Sequence, residues 1–342
     1  MKLAGLDYLD LSSHLSENEI MVQQSTRKFV DKEIIPIIDE YFENGTFPDS
    51  LTHKIANMGF FGINLPKEDG GGGMNNIIYG LVCQEIERGD SAIRSFISVQ
   101  SSLVMYPIHA FGSDVQRGKW LPLLAKGDAI GSFGLTEPDS GSDPGSMKTL
   151  AKKVDGGFLI NGNKMWITNG SNADISVVWA KTEDEVVRGF LIEKGMKGFS
   201  TPEMKHKWSL RASVTSELIL QDVFVPEENL LPGVEGLKGP LSCLSQARYG
   251  IGWGAIGCAM AVYEASLKYA KERIQFQKPI GSFQLVQEKL VWMLTEITKG
   301  QLLAYHVGKN KDAGTGTPQQ ISMLKRNNTW VARECAKLAR EL

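Results

Sequence analysis

The stretch Ser132-Phe-Gly-Leu-Thr-Glu-Pro-Asp-Ser-Gly-Ser-Asp143 concentrates more backbone-shaping and hydrogen-bonding chemistry than any other part of this 342-residue chain. An apolar run, 133–135, is broken by turn residues with separate roles: Pro138 fixes φ, Asp139 and Ser140 bond locally, and Gly141 admits positive φ. The hydroxyls of Thr136, Ser140 and Ser142, with successive backbone N–H groups, can form a concavity suited to phosphate or a carbonyl. A polar surface loop has the same composition. Arg94 and Ser98 stand four apart in the helix-like segment 91–106 and share a face, with Ser101 and Ser102 one turn on. An arginine on an interior-leaning helix needs a carboxylate, either a structural one, for which Glu87 is a candidate, or one belonging to a substrate. Trp166 and Thr168 end the strand-like Lys164-Met-Trp-Ile-Thr168, where alternation puts both on one face. Ordinary packing would explain them equally.

The elements that must position these groups change period twice along the chain. Residues 16 to about 131 read as helical. Ser16 and Glu19 form a capping box, Pro36 is expected to interrupt the first helix, and another helix is expected over 75–88, with Ile78, Val82, Cys83 and Ile86 on one face. The run Gly70 to Gly73 lacks the setting of a phosphate-binding loop and reads as a flexible turn. From Ser132 the period falls to two: a hairpin turn at Val154-Asp-Gly-Gly157 and strand-like runs at 175–180, 189–192 and 218–220 mark a β domain. From about Leu241 the chain is helical again. Ala247-Arg248-Tyr249-Gly250 is expected to open a long helix in which Gly250, Gly252, Gly254 and Gly257 allow close packing, and a second long helix runs from Phe283 to about Lys311. The expected fold is α+β, with a helical domain over 1–131, a β-barrel or sandwich domain over 132–240 and a helical bundle over 241–342.

Composition narrows the function. Hydrophobic residues at 42% and charged residues at 22% are ordinary for a globular protein, and a net charge of -2 gives no electrostatic case for nucleic acid or an anionic membrane. No stretch is apolar for long enough to span a bilayer. Cys83, Cys243, Cys258 and Cys335 lack metal-ligand spacing, so reduced thiols and no metal are expected. The acidic N-terminus is unlike a transit peptide. The expected location is the cytoplasm of a prokaryote, or the mitochondrial matrix for a processed eukaryotic chain.

Three motifs now carry a resemblance: Phe133 to Asp143, Lys164-Met-Trp-Ile-Thr-Asn169, and Arg273-Ile-Gln-Phe-Gln-Lys-Pro279. Together they resemble the acyl-CoA dehydrogenase family over nearly the whole chain, in that family's order and approximate spacing. Arg94 matches the arginine that the glutaryl-CoA-oxidising members place against the substrate's distal carboxylate. The resemblance implies FAD as cofactor, held by Phe133, Gly134, Leu135, Thr136, Gly141, Ser142, Trp166, Ile167 and Thr168. Trp166 would lie against the isoalloxazine, with Thr168 near its N5. It implies acyl-CoA as substrate, bound by Arg94, Ser95, Ser98, Ser142, Arg248, Tyr249 and Gly250. Arg273, Gln275, Phe276 and Gln284 would reach the FAD of a neighbouring subunit in a homotetramer, and electrons would pass to an electron-transferring flavoprotein. Gln277 stands where the family has glycine, which puts the local turn in doubt.

The implied reaction is oxidative decarboxylation of glutaryl-CoA to crotonyl-CoA and CO2. Alternatives are oxidation of another short or dicarboxyl acyl-CoA, or acyl-CoA or flavin binding without turnover. Ala247, where some relatives carry the base, cannot take a proton, and the stripe Val331, Cys335, Leu338, Leu342 runs to the last residue. In the family the catalytic glutamate lies a few tens of residues further on, so the resemblance implies a base beyond Leu342.

Overall fold

The computed structural model describes residues 5–342. Helix α1 (Glu17–Phe29) opens on the Ser16/Glu19 capping box and runs through a π-helical turn, Val30–Ile34, into α2 (Ile35–Asn44). Pro36 therefore does not interrupt the helix. The wider π turn lies just ahead of a residue that has no N–H to donate and whose ring crowds the carbonyl four positions back. After α3 (Leu51–Asn57) comes the glycine run, which is not the flexible turn expected. Gly71, Gly72 and Gly73 donate to the carbonyls of Pro66, Gly62 and Leu65 at 3.0, 3.1 and 2.8 Å. A Cβ on Gly71 or Gly72 would fall 2.4 or 2.6 Å from the carbonyl oxygens of Leu65 and Ile63, so only glycine lets the two stretches lie this close.

Helix α4 (Asn76–Gly89), capped by Asn75, is buried on nearly all sides rather than on one face. It is followed by α5 (Ser91–Ser98), a second π-helical segment Val99–Met105, α6 (Tyr106–Phe111) and α7 (Asp114–Lys126). The strands are β1 (Gly131–Gly134), β2 (Leu150–Val154), β3 (Gly157–Thr168), β4 (Ile175–Thr182), β5 (Val187–Glu193), β6 (Phe199–Ser200) and β7 (Thr215–Pro226). They form one sheet in the order β1-β4-β2-β3-β7-β6, with β5 also on β4. The expected hairpin joins β2 to β3, pairing Val154 with Gly157. Helix α8 (Lys238–Glu272) begins well before the expected opening at Ala247. The short strands β8 (Ile274–Gln275) and β9 (Lys278–Pro279) lead to α9 (Gln284–Asp312) and α10 (Pro318–Arg340).

Two compact units result. One gathers residues up to Pro36, Asn75–Arg94 and Arg248–Leu342; the other gathers Ile37–Met74 and Ser95–Ala247. The second unit is built on the sheet, whose core holds Phe158, Ile160, Val178, Phe190, Leu218 and Val225. Gln100, fully buried, fixes the edge strand of that sheet: its amide donates to the carbonyls of Leu124 and Ala129 and accepts from the Gly131 N–H.

The first unit depends on glycines along α8. A Cβ on Gly250 would lie 2.7 Å from Tyr79 Oη, one on Gly252 2.6 Å from Leu324, and one on Gly257 1.8 Å from the Gln84 carbonyl oxygen. The tight packing expected of these glycines is thus present. A charge network crosses the same unit: fully buried Glu85 pairs with Arg88 and Arg27, which reach on to Asp31 and Glu264.

The β8/β9 turn explains the family's glycine. Phe276 and Gln277 both have positive φ, 50° and 61°, in a two-residue hairpin. Gln277→Gly should therefore raise stability by about 1 kcal/mol, the order of the left-handed penalty it relieves. Gly257→Ala should lower stability by about 1–3 kcal/mol through overpacking. Thermal unfolding of both variants checks this, and a lower melting temperature for Gln277→Gly would show that the turn stores no strain.

Candidate functional site

The loop after β1 is fixed from beneath by a buried charge. Lys164 on β3 is fully buried, and its Nζ donates to Glu137 at 2.7 Å and to the Leu135 carbonyl at 3.2 Å. The Glu137 carboxylate also accepts the N–H groups of Lys148 (2.6 Å) and Thr149 (3.0 Å) and the Thr149 hydroxyl. Burial pushes the Lys164 amine down to about 8, against the pull of Glu137. Burial would raise the Glu137 carboxyl, but Lys164 and these donors outweigh it and hold it below its ordinary value. Glu137 and Ser140 exchange backbone hydrogen bonds, the Ser140 hydroxyl donates to the Asp143 carbonyl, and the Thr136 carbonyl accepts from Met165 N–H at 2.8 Å. Phe133 and Leu135 are buried beneath the loop, while Gly141 and Ser142 stand exposed at its tip.

Strand β3 carries a bulge at the second motif. Lys164 pairs with Leu218 and Ile167 with Ser216, so three steps on β3 face two on β7, and Trp166 takes φ 64°. Unbroken alternation from Phe158, Ile160 and Lys164 would aim Trp166 and Thr168 into the core. The extra residue instead turns Ile167 inward and leaves Trp166, 60% exposed, and half-buried Thr168 on the other side. The two residues share a face as expected, but the bulge brings this about rather than plain alternation. Asn169, φ 65°, closes the motif, its amide donating to the Gly131 carbonyl. An exposed indole, a neighbouring hydroxyl and a tethered loop ending in a free serine suit a planar aromatic ring with a polar edge and a phosphate-bearing tail. Ser98 is buried on α5 and Ser95 half-buried.

The other unit holds the remaining candidates. Arg94, 8% exposed, donates through Nε to Glu87 Oε2 at 2.6 Å, and Ser91 Oγ donates to Glu87 Oε1 at 2.9 Å. Burial works against the guanidinium charge, but Glu87 more than offsets it and holds Arg94 above its ordinary value. Among the described residues, the terminal nitrogens of Arg94 have no protein hydrogen-bond partner. Arg248 is half-buried and reaches Ser322. Tyr249 and Gly250 offer no accessible side chain: Tyr249 is fully buried with its hydroxyl on the Asn76 carbonyl, and Gly250 is pressed against Tyr79. Arg273, Gln275, Phe276 and Gln284 are gathered and exposed at the β8/β9 hairpin and the start of α9.

Family models for the acyl-CoA dehydrogenase N-terminal, middle and C-terminal domains match residues 16–128, 132–223 and 235–342. The chain belongs to the acyl-CoA dehydrogenase family. Members of this family are FAD-dependent oxidoreductases. The dehydrogenase is similar to a glutaryl-CoA dehydrogenase from Mycobacterium smegmatis solved in complex with FADH2, with 47% identity, a TM-score of 0.95, and coverage of 98% of this chain and 87% of that one. It is 34% identical to glutaryl-CoA dehydrogenase of Desulfococcus multivorans over 95% of this chain and 86% of the relative. It is 36% identical to mitochondrial isovaleryl-CoA dehydrogenase of Oryza sativa subsp. japonica over 91% and 78%.

Sequence reasoning missed the scaffold of this dehydrogenase's loop: Lys164, Glu137, Thr149 and Asn169 bound the motifs but were given no task. A lysine at an inward position of an apolar strand was the available signal.

The ion pair makes an asymmetric prediction. Glu137→Gln strands a buried ammonium and should cost about 3–5 kcal/mol, with loss of bound flavin. Lys164→Met should cost less, because Glu137 keeps its donors from Lys148 and Thr149. Lys164 releases its proton near pH 8 when folded, against 10.5 ordinarily, so the unfolded chain holds more protons between these values. The penalty of its buried charge is therefore present below pH 8 and fades as pH rises. The Glu137→Gln deficit should be largest at acidic pH, shrink as pH rises towards 8, where wild-type Lys164 itself gives up its proton, and level off above it. Unfolding midpoints from pH 6 to 9, with flavin absorbance, read this; a deficit that does not shrink between pH 6 and 8, or one larger for Lys164→Met, would contradict it.

Proposed function

We propose that the protein is a glutaryl-CoA dehydrogenase, forming crotonyl-CoA and CO2. Arg94 carries this reading. It is a buried guanidinium held by Glu87 through one nitrogen, and among the described residues its terminal nitrogens have no partner, which leaves a fork that matches a carboxylate. Beside an acyl chain ending in methyl, those nitrogens would be desolvated without a partner. Two of the relatives named above, glutaryl-CoA dehydrogenases, support the same substrate.

Bound FAD supplies the acceptor for the hydride that leaves the β-carbon as a base takes the α-proton. Trp166 would lie along its ring, Thr168 and Thr136 would bond its polar edge, and Ser142 would hold phosphate. The task of Arg94 is to fix the far end of the acyl chain, which sets where the α- and β-carbons fall. After oxidation, the carboxylate that Arg94 holds lies on the γ-carbon, next to the new double bond. Its loss as CO2 leaves an electron pair conjugated to the thioester carbonyl, and protonation then gives crotonyl-CoA. Arg248 would meet the CoA end of the substrate. The electrons would leave to an electron-transferring flavoprotein. In a tetramer, Arg273, Gln275, Phe276 and Gln284 would serve a neighbour's flavin. Phe276, 86% exposed, and Leu285, 75% exposed, support this as apolar groups that a second chain would cover.

A second reading is favoured by the same ion pair. Glu87 already balances the Arg94 charge, so the pair could be structural and the substrate a short branched acyl-CoA, like that of the isovaleryl-CoA relatives. Full-length, FAD-loaded enzyme distinguishes the two by kcat/KM for glutaryl-CoA and for valeryl-CoA, which has the same chain length. Two decades in favour of glutaryl-CoA correspond to about 2.8 kcal/mol. Arg94→Met keeps the volume and removes the fork, and should narrow or reverse that preference. An equal fall for both substrates would make Arg94 a structural partner of Glu87. In the same preparation, Arg273→Ala should loosen flavin and lower its occupancy after dialysis, whereas unchanged occupancy in a monomer would remove the shared-site reading.

A further inference from the structure

We infer that Gly254 on α8 is a positioning residue for the substrate's distal carboxylate, because it leaves open the space that Glu87 occupies while Glu87 aims Arg94. The inference rests on the glutaryl-CoA reading above. A Cβ on Gly254 would lie 1.9 Å from Glu87 Oε2, 3.0 Å from its carboxyl carbon and 3.2 Å from Arg94 Cδ. No side chain fits at such distances unless the carboxylate moves. Along α8, Gly250 faces a tyrosine hydroxyl, Gly252 a leucine and Gly257 a backbone carbonyl; Gly254 faces an ionisable carboxylate. The absent side chain is therefore matched to one charged group.

Glu87 has little freedom to retreat. Its Oε1 accepts from Ser91 Oγ at 2.9 Å and its Oε2 from Arg94 Nε at 2.6 Å, and the side chains of Glu87 and Arg94 are each 9% exposed. The Oε2 that such a methyl would meet is the atom that accepts from Arg94, so a shift that clears the methyl disturbs that bond. The charge is felt on α8 independently: one turn further, burial pushes the Cys258 thiol up to about 11, and the negative charges of Glu87 and Asp90 add to that rise. Through this glycine α8 thus sets the orientation of the group that would meet the substrate's carboxylate. An Arg94 released from Glu87 keeps its charge but loses the fixed Nε, and with it the aim of the terminal fork.

The test uses full-length, FAD-loaded enzyme as wild type, Gly254→Ala, Glu87→Ala and the double variant, with kcat/KM for glutaryl-CoA and valeryl-CoA and with flavin content. In Gly254→Ala the glutaryl/valeryl ratio should fall at least about tenfold, while flavin content and valeryl-CoA turnover stay within about twofold. Glu87→Ala removes the carboxylate and makes room for the methyl, so adding Gly254→Ala to it should change the ratio by less than about twofold. A preserved ratio in Gly254→Ala overturns the inference. So does an equal fall in the Glu87→Ala background, because the effect then does not pass through Glu87. If Gly254→Ala alone fails to hold flavin, the double variant decides: recovery of flavin supports the clash with Glu87, and continued loss overturns it. Absence of any glutaryl preference in the wild type would instead fail the substrate reading itself.

Discussion

A lysine fully buried in a sheet cannot stand alone, because an ammonium taken out of water must find a partner charge or give up its proton. In this chain that requirement draws Glu137 inward to Lys164, and Glu137 brings with it the N–H groups of residues 148 and 149. The loop from 135 to 143 is thereby pinned at its base while its tip stays exposed. One residue further along the same strand the bulge begins, and it can turn Trp166 outward only because the strand on either side is held in register with β7. The buried pair and the bulge together convert two short sequence motifs into one presented surface.

Much of this was legible in the sequence. Changes of period located the helical and β regions, the Val154 to Gly157 turn was read correctly, and the α8 glycines were recognised as packing positions. What escaped was set by interactions between distant residues. Pro36 reads as a helix breaker from local rules, yet a π turn accommodates it. Alternation placed Trp166 and Thr168 on a common face without revealing that an inserted residue reverses which face it is. Arg94 signals a need for a carboxylate, and Glu87 is one of the options; that Glu87 engages one nitrogen and leaves the others is set by the fold.

The two arginine–carboxylate arrangements of the first unit differ instructively. Around Glu85, the guanidinium of Arg88 is shared between Glu85 and Asp31, and Arg27 continues the network to Glu264, although Arg27 Nη1 is buried with no hydrogen bond and only a 3.7 Å ion pair to Glu85. Around Glu87 the network stops short. Glu85 is shared between two guanidinium groups, whereas Glu87 pairs with one.

The glycine run at 70–73 has an evolutionary corollary. Surface connections usually tolerate insertions and deletions, since their backbone groups answer to water. Here three successive amides are each assigned to a particular carbonyl between Gly62 and Pro66. Adding or removing one residue would slip all three pairings and bring a side chain against Ile63 or Leu65. The length of this segment is accordingly constrained much as that of a strand is, and gaps between related chains should fall on either side of it rather than within it.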